Sequence, residues 1–90
     1  MKSYLISFNL QNPAAHLQNV STLLRTFPKW ACIKEDLWIV RSKDNIEDTR
    51  QKIVTAMEGQ GFVMVINISD DAWGTYAVDR EITDWMKENI

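Results

Sequence analysis

The chain has 90 residues, of which 46% are hydrophobic and 24% charged, with a net charge of −2. This length fits a single domain, residues 1–90, and the composition is that of a globular chain rather than a disordered one. The weakly negative net charge argues against a dedicated nucleic-acid-binding protein, which usually has a strongly basic domain. Residues 1–43 nevertheless carry a net +4 and residues 44–90 a net −6. This asymmetry is consistent either with steering between copies of the chain or with an ordinary solvated surface.

The cellular setting follows from what the sequence lacks. Cys32 is the one cysteine, so no intrachain disulfide forms, and its place among strand residues predicts a small core side chain. The N-terminus does not contain the apolar core of a signal peptide. No apolar run approaches the ~18 residues that a membrane-spanning helix needs. We therefore expect a cytoplasmic protein with no membrane partner.

The first elements are a strand and a helix. Residues 4–10 alternate in the two-residue period of a strand. Asn12 and Pro13 are typical of the residues at which a helix begins. Apolar residues recur at helical spacing from there to about residue 26, and Pro28 ends the pattern.

A hairpin and a second helix follow. Residues 30–34 and 37–41 are rich in aromatic and β-branched residues, which predicts two strands joined by a short polar turn. The spacing of Asp44 and Glu47 resembles a capping box and predicts a helix over about 45–58.

Residues 61–68 form the longest apolar run, and both faces of a strand in this position begin apolar. A half-exposed strand would be apolar on one face only, so both faces need cover. Beyond it, residues 70–90 form a C-terminal extension. Residues 72–78 are predicted as a loop or a short fifth strand, and a last helix follows Asp79.

This order predicts an α+β fold, the ferredoxin-like β-α-β-β-α-β sandwich with an antiparallel four-stranded sheet in the order 4-1-3-2. The apolar fourth strand then lies at an edge, where it needs a partner. We expect a homodimer, although the C-terminal helix of the same chain is an alternative cover. The residues predicted to contribute to the dimer interface are Leu5, Trp38, Val63, Val65, Trp73 and Tyr76. Some of Leu5, Val63, Val65, Trp38 and Val40 are expected on the open face of the sheet.

Three segments resemble a known family. Residues 4–10, residues 37–40 and the tail from Trp73 to Ile90 are similar to small bacterial proteins described as SinR-like. That group is related in fold to the small CRISPR-associated adaptation nuclease subunit and to VapD-like toxins. The resemblance implies a ferredoxin-like homodimer and, for some members of the wider group, metal-dependent cleavage of RNA or DNA.

The resemblance also locates the position of an active-site acid, at the end of the first strand. Asn9 occupies that position in this chain. A neutral amide is a poor substitute for the carboxylates that hold Mg²⁺. We therefore predict a non-catalytic binding or regulatory module that needs no cofactor or metal. The alternative is a metal-dependent endonuclease using Mg²⁺.

Other sites were weighed on residue types alone. His16, near a helix start, is predicted to be exposed, and one histidine with one cysteine is too few for a zinc site. Asp70 and Asp71 together with Asp79 are a weak candidate for binding a hard cation. Four basic residues flank the hairpin tryptophans, a combination that suits single-stranded nucleic acid: Lys29, Lys34, Arg41 and Lys43. The competing interpretation is an amphipathic hairpin with solvated lysines, and a protein partner is also possible.

Overall fold

The computed structural model describes all residues, 1–90, as four strands and three helices. In chain order the elements are β1 (Lys2–Leu10), α1 (Pro13–Leu24), β2 (Lys29–Lys34), β3 (Leu37–Ser42), α2 (Ile46–Ala56), β4 (Gly61–Asn67) and α3 (Arg80–Asn89). The strands form one antiparallel sheet in the order β2-β3-β1-β4. The predicted α+β fold, compatible with a ferredoxin-like arrangement, is confirmed, and β4 lies at an edge beside β1.

The main core lies on the sheet face that α1 and α2 cover. Its 11 buried residues are Tyr4, Ile6, Phe8, Leu10, Val20, Leu24, Phe27, Trp38, Val40, Ile53 and Met57. Four of them are alternate residues of β1, which therefore turns one face entirely toward this core. Val63 and Val65 of β4 are half-buried and pack against the same cluster.

Helix α2 begins with a different cap from the one predicted at Asp44. Asn45 is the N-cap, and its Oδ1 accepts a hydrogen bond of 2.8 Å from the backbone N–H of Asp48. The Asp44 carboxylate instead pairs with Lys52 at 2.7 Å, and its backbone carbonyl accepts the Tyr4 hydroxyl at 2.9 Å. The predicted capping box is wrong because Asn45 caps the helix and the Asp44 carboxylate pairs with Lys52 instead.

The opposite sheet face, called the open face below, is only partly covered. One rung of side chains crosses it from strand to strand, in the order Ala31, Ile39, Leu5 and Ile66. Ala31 and Ile39 are 7% and 1% exposed, Leu5 is half-buried, and Ile66 at the edge is 46% exposed. Helix α3 packs against β2, and its Met86 is buried. We infer that α3 covers the β2–β3 half of the open face and leaves the β4 edge uncovered.

Of the five residues considered for the open face, Leu5 lies there, whereas Trp38, Val40, Val63 and Val65 lie on the core face. Trp38 and Val40 are 1% and 0% exposed within the main core, and Val63 and Val65 pack against that core. Alternation separates the two faces of a strand, but β4 is apolar on both. The side on which α1 and α2 cross the sheet decides which face is covered.

The segment between β4 and α3 forms no strand, so residues 72–78 are the predicted loop rather than a fifth strand. Just beyond β4, the backbone N–H of Ile68 donates to the Ser3 carbonyl at 2.9 Å. Ser69 Oγ accepts the Ser3 N–H at 2.7 Å. These bonds continue the attachment to β1 before the chain leaves the sheet. Asp79 takes the N-cap position of α3 without a side-chain cap hydrogen bond.

Candidate interaction surface along strand β4

Strand β4 carries three large apolar side chains that the rest of the chain leaves largely uncovered. Phe62, Met64 and Ile66 are 57%, 56% and 46% exposed. They alternate with Val63 and Val65, so all three lie on the open face. We call Phe62, Met64 and Ile66 the β4 strip. Isolated exposed apolar residues are ordinary, but a contiguous row on one strand is typical of an interaction surface.

Strand β1 offers the strip little apolar cover. The strand register places Asn9 opposite Phe62, Ser7 opposite Met64 and Leu5 opposite Ile66. Leu5 is the one apolar side chain of these three, and Asn9 is itself exposed. The strip therefore faces solvent along its length.

Gly61 fixes the point at which β4 meets β1. Its φ is +127°, a backbone conformation that side-chain-bearing residues rarely adopt. A Cβ at this position would overlap the carbonyl oxygen of Asn9 and lie 3.0 Å from Cε of Met57. Glycine thus permits the close backbone approach that starts the β1–β4 ladder.

Asn9, the position that matches the family acid, lies beside a small cavity. The cavity has a volume of about 180 Å³, and its lining includes Glu35 and Asp36. The turn that carries them is held against β1, since the N–H of Phe8 donates to the Asp36 carbonyl at 3.1 Å. The Asp36 carboxylate pairs with Lys34 at 3.5 Å. A neutral amide therefore stands here beside an acid that is already ion-paired.

Mg²⁺ sites in proteins use carboxylates, and at this cavity Glu35 and Asp36 carry them, whereas Asn9 offers only a neutral amide. The chain assembles no group of three or more His, Cys, Asp or Glu side chains that could share a metal ion. This finding also covers the acidic set of Asp70, Asp71 and Asp79, which the fold does not bring together as ligands.

The predicted nucleic-acid contacts do not form one patch. Lys34 lies at the turn end of the hairpin, in its ion pair with Asp36. Arg41 is half-buried, and its guanidinium donates to the backbone carbonyls of Asn89 and Met1. Arg41 thus fastens the end of α3 to the sheet, a role that the sequence did not reveal.

Lys29 and Lys43 are exposed at the opposite end of the hairpin, and sequence reasoning missed a further basic residue that lies against the hairpin tryptophans. The Arg25 guanidinium lies 5.9 Å from the ring centroid of Trp30 and 5.8 Å from that of Trp38. Trp30 is 39% exposed. Lys29 precedes Trp30 on β2, so its side chain lies on the opposite face of the sheet from the Trp30 ring. A basic residue in the last turn of the predicted helix, shortly before an aromatic strand, was the available signal.

His16 is buried, at 4% exposed, and the prediction that it lies in solvent is wrong. It shares a face of α1 with Val20 and Leu24, at i, i+4 and i+8, and that face meets the core. Its Nε2 lies 2.6 Å from Oε2 of Glu58, while its Nδ1 is buried without a partner. The pair ties the first turn of α1 to the chain just beyond α2.

Cys32 packs against the main core, as predicted, although it is only half-buried. Burial raises the pKa of its thiol, opposed by the Arg25 charge and reinforced by Glu35. Its Sγ donates to the Lys34 carbonyl at 3.3 Å. A raised pKa disfavours the thiolate, which is the nucleophilic form.

The remaining predicted interface residues are dispersed. Trp38, Val63 and Val65 belong to the covered face, so they do not form the outer surface of the open face. Trp73 is 37% exposed and Tyr76 is 95% exposed, both in the loop before α3. The interface roles of Leu5, Trp73 and Tyr76 stay predictions. The β4 strip is the surface that the sequence analysis missed by assigning the wrong face to the sheet exterior.

No helix of the structure has the length and apolar character needed to cross a bilayer. Comparisons with models of known protein families, with curated proteins and with solved structures find no match to this chain.

Proposed function

We propose that this protein is a small homodimeric, non-catalytic module that binds another macromolecule, and that the second copy packs against β4. The observation that carries the proposal is the β4 strip, an uncovered apolar row on an edge strand. The resemblance to SinR-like proteins supports the same assembly independently of this row.

The size of the strip sets a limit on what it contributes. Full burial of a large apolar side chain stabilises by about 1.5–3 kcal/mol, so covering these half-exposed ones recovers about 1 kcal/mol each. The two copies together would gain about 6 kcal/mol. Association itself costs about 4–15 kcal/mol, so the strip needs additional contacts to give a stable dimer.

A charge placed in the strip tests the proposal. Met64→Glu puts a carboxylate on the open face, and we expect it to shift the protein to monomer in sedimentation equilibrium. Gln18→Glu is the matched control, since it adds the same charge at an exposed position of α1. A Met64→Glu protein that associates as strongly as the control would refute the role of the strip.

The endonuclease alternative makes a different prediction. Under it, Asn9 acts at the cavity that Glu35 and Asp36 line, and cleavage of RNA or DNA requires Mg²⁺ or Mn²⁺. The test compares the purified protein with Asn9→Ala in cleavage assays. Robust cleavage that this substitution abolishes would overturn the non-catalytic proposal, and absence of cleavage in both proteins supports it.

Single-stranded nucleic acid is the partner class that the surface charges favour. None of the ion pairs involves Arg25, Lys29 or Lys43, so these three charges are free to meet phosphates. Trp30 offers an exposed ring beside Arg25, on which a base could stack. Lys29 and Trp30 are neighbours on β2 at the same end of the hairpin, with their side chains on opposite faces of the sheet, so the ring shares its face with Arg25.

Fluorescence anisotropy with a labelled oligothymidylate tests this partner. About three phosphate contacts predict a slope near −2 when log affinity is plotted against log salt concentration. Replacing Arg25 and Lys29 with Gln should weaken binding and flatten that slope, while Lys87→Gln, on α3, should leave both unchanged. No binding at low salt, or an equal effect of the control, would remove nucleic acid as the partner.

A further inference from the structure

The backbone of β4 has a second set of unused groups besides the strip. Ile68 donates to Ser3, and Gln11 donates to Gln60, so the even-numbered residues along β4 form the hydrogen-bonded pairs with β1. In an antiparallel ladder, neighbouring residues direct their N–H and C=O groups to opposite sides. The amide groups of Val63, Val65 and Asn67 therefore point away from β1, toward the free edge.

The free edge carries none of the usual protection against strand pairing. Natural edge strands are guarded by charged side chains, prolines, bulges or a covering segment. Residues 61–67 include no charged residue and no proline, and the β1–β4 register is unbroken. The following segment forms no strand on this edge, because the sheet has four strands and ends at β4.

We propose that two copies join edge to edge through β4, in antiparallel register, so that one continuous sheet runs through the dimer. The two-fold axis passes through Met64. The outward amide groups of Val63 then pair with those of the partner's Val65, and the reverse. This inference deepens the proposed homodimer and rests on it, by naming the geometry of the contact.

Two conditions set the register: the residues whose amide groups point outward must meet, and the paired segment should be as long as possible. Outward groups lie on odd-numbered residues, so each must meet an odd-numbered residue of the partner. An axis at Met64 satisfies this condition over the full seven-residue strand, whereas an axis at Val63 or Val65 shortens the paired segment.

The same register matches the β4 strip to itself. Met64 lies opposite the partner's Met64, and Phe62 lies opposite the partner's Ile66, so every strip residue gains an apolar cross-strand neighbour. The strand carries no charge, so self-pairing brings no like charges together. One contact between copies thus pairs the edge groups and gives each strip residue an apolar neighbour at its side.

Amide hydrogen exchange of the full-length protein, measured residue by residue by NMR, tests the geometry. At concentrations where the protein is dimeric, the amides of Val63, Val65 and Asn67 should exchange slowly, and dilution to monomer should release them. The amides of Phe62, Met64 and Ile66 should be protected in both states, because they bond to β1. A dimer in which the first set exchanges as fast as in the monomer would overturn edge pairing and leave the homodimer standing. A protein that stays monomeric would contradict the homodimer itself.

A proline substitution gives a second measurement. Val65→Pro removes an outward N–H and so breaks no bond within the chain, a position at which edge strands tolerate proline. Each copy loses this N–H, so the dimer loses two hydrogen bonds and leaves their carbonyl groups unpaired. The dimer dissociation constant should therefore rise by about 100-fold. Val65→Thr, which keeps the N–H and the branched shape, should change it by less than about threefold. Equal dimerisation of both variants would refute the edge geometry, and the exchange measurement decides the matter if Val65→Pro does not fold.

Discussion

The surroundings of the three glycines predict how much stability each glycine-to-alanine substitution costs. The three substitutions are Gly61→Ala, Gly59→Ala and Gly74→Ala. A Cβ at Gly61 would overlap the Asn9 carbonyl at a φ of +127°. Gly59 also has a positive φ, +69°, but the space around it is open, and Gly74 has neither constraint. We expect the loss of stability to fall in that order.

The magnitudes follow from these environments. Holding a residue other than glycine in a sparsely populated backbone region costs about 1–3 kcal/mol. At Gly61 the overlap with Asn9 adds to this strain, because the two backbones must separate, so we expect a loss of about 3 kcal/mol or more. Gly59→Ala should cost about 1 kcal/mol, and Gly74→Ala should lie within about 0.5 kcal/mol of the unmodified protein. A chain of this length has a total stability of about 5–13 kcal/mol, so the first loss is large.

Urea denaturation followed by circular dichroism measures all three variants. A loss of about 3 kcal/mol also lowers the melting temperature by roughly 12 °C or more in a domain of this size. The Gly74 variant is the control for the substitution itself. Equal stability of the Gly61 and Gly74 variants would refute the close approach of β1 and β4 at this point.

Three further predictions concern contacts that position the sheet and its cover. Burial, and secondarily the Asp44 charge, raises the pKa of the Tyr4 hydroxyl above its ordinary 10.0. The unfolded phenol therefore ionises first, so the stabilisation by Tyr4 is complete below pH 10 and is lost as the pH rises through the folded-state pKa. Tyr4→Phe should cost about 1 kcal/mol in urea denaturation at neutral pH, with a gap that closes above pH 10; a gap constant to pH 11 would contradict this. Asn45→Ala should cost about 1 kcal/mol through loss of the α2 cap, measured in the same way, and no loss would argue against the Asp48 bond. Met86→Ala should speed amide exchange in α3 and leave β1 protected, whereas unchanged α3 exchange would show that this side chain does not hold the helix.

The sequence predicted most of the architecture because its period changes are clear. Strand alternation in residues 4–10, the Asn12-Pro13 helix start and the hairpin residues give the element order, and the β-α-β-β-α-β order constrains the sheet. The face assignment of β4 was not available from pattern, since Val63 and Val65 alternate with equally apolar residues. Only the side of the sheet on which α1 and α2 cross distinguishes the covered face of β4 from the open one.

The candidate site was predicted less well for related reasons. His16 was judged by its place near a helix start, whereas its i, i+4 spacing to Val20 predicts the buried face. Arg41 looked like a surface cation, but its role depends on where the end of α3 lies, and that is a long-range contact. The edge position of β4 was predictable from topology, and both the proposed homodimer and its edge-to-edge geometry depend on this position.

The molar mass of the unmodified protein in solution tests the central claim most directly. Sedimentation equilibrium over about 1–100 μM should give a mass approaching twice the 10.5 kDa of the chain, as expected for a dimer whose interface includes both the strip and the edge. A mass of 10.5 kDa that persists to the highest concentration would contradict the claim that a second copy covers β4.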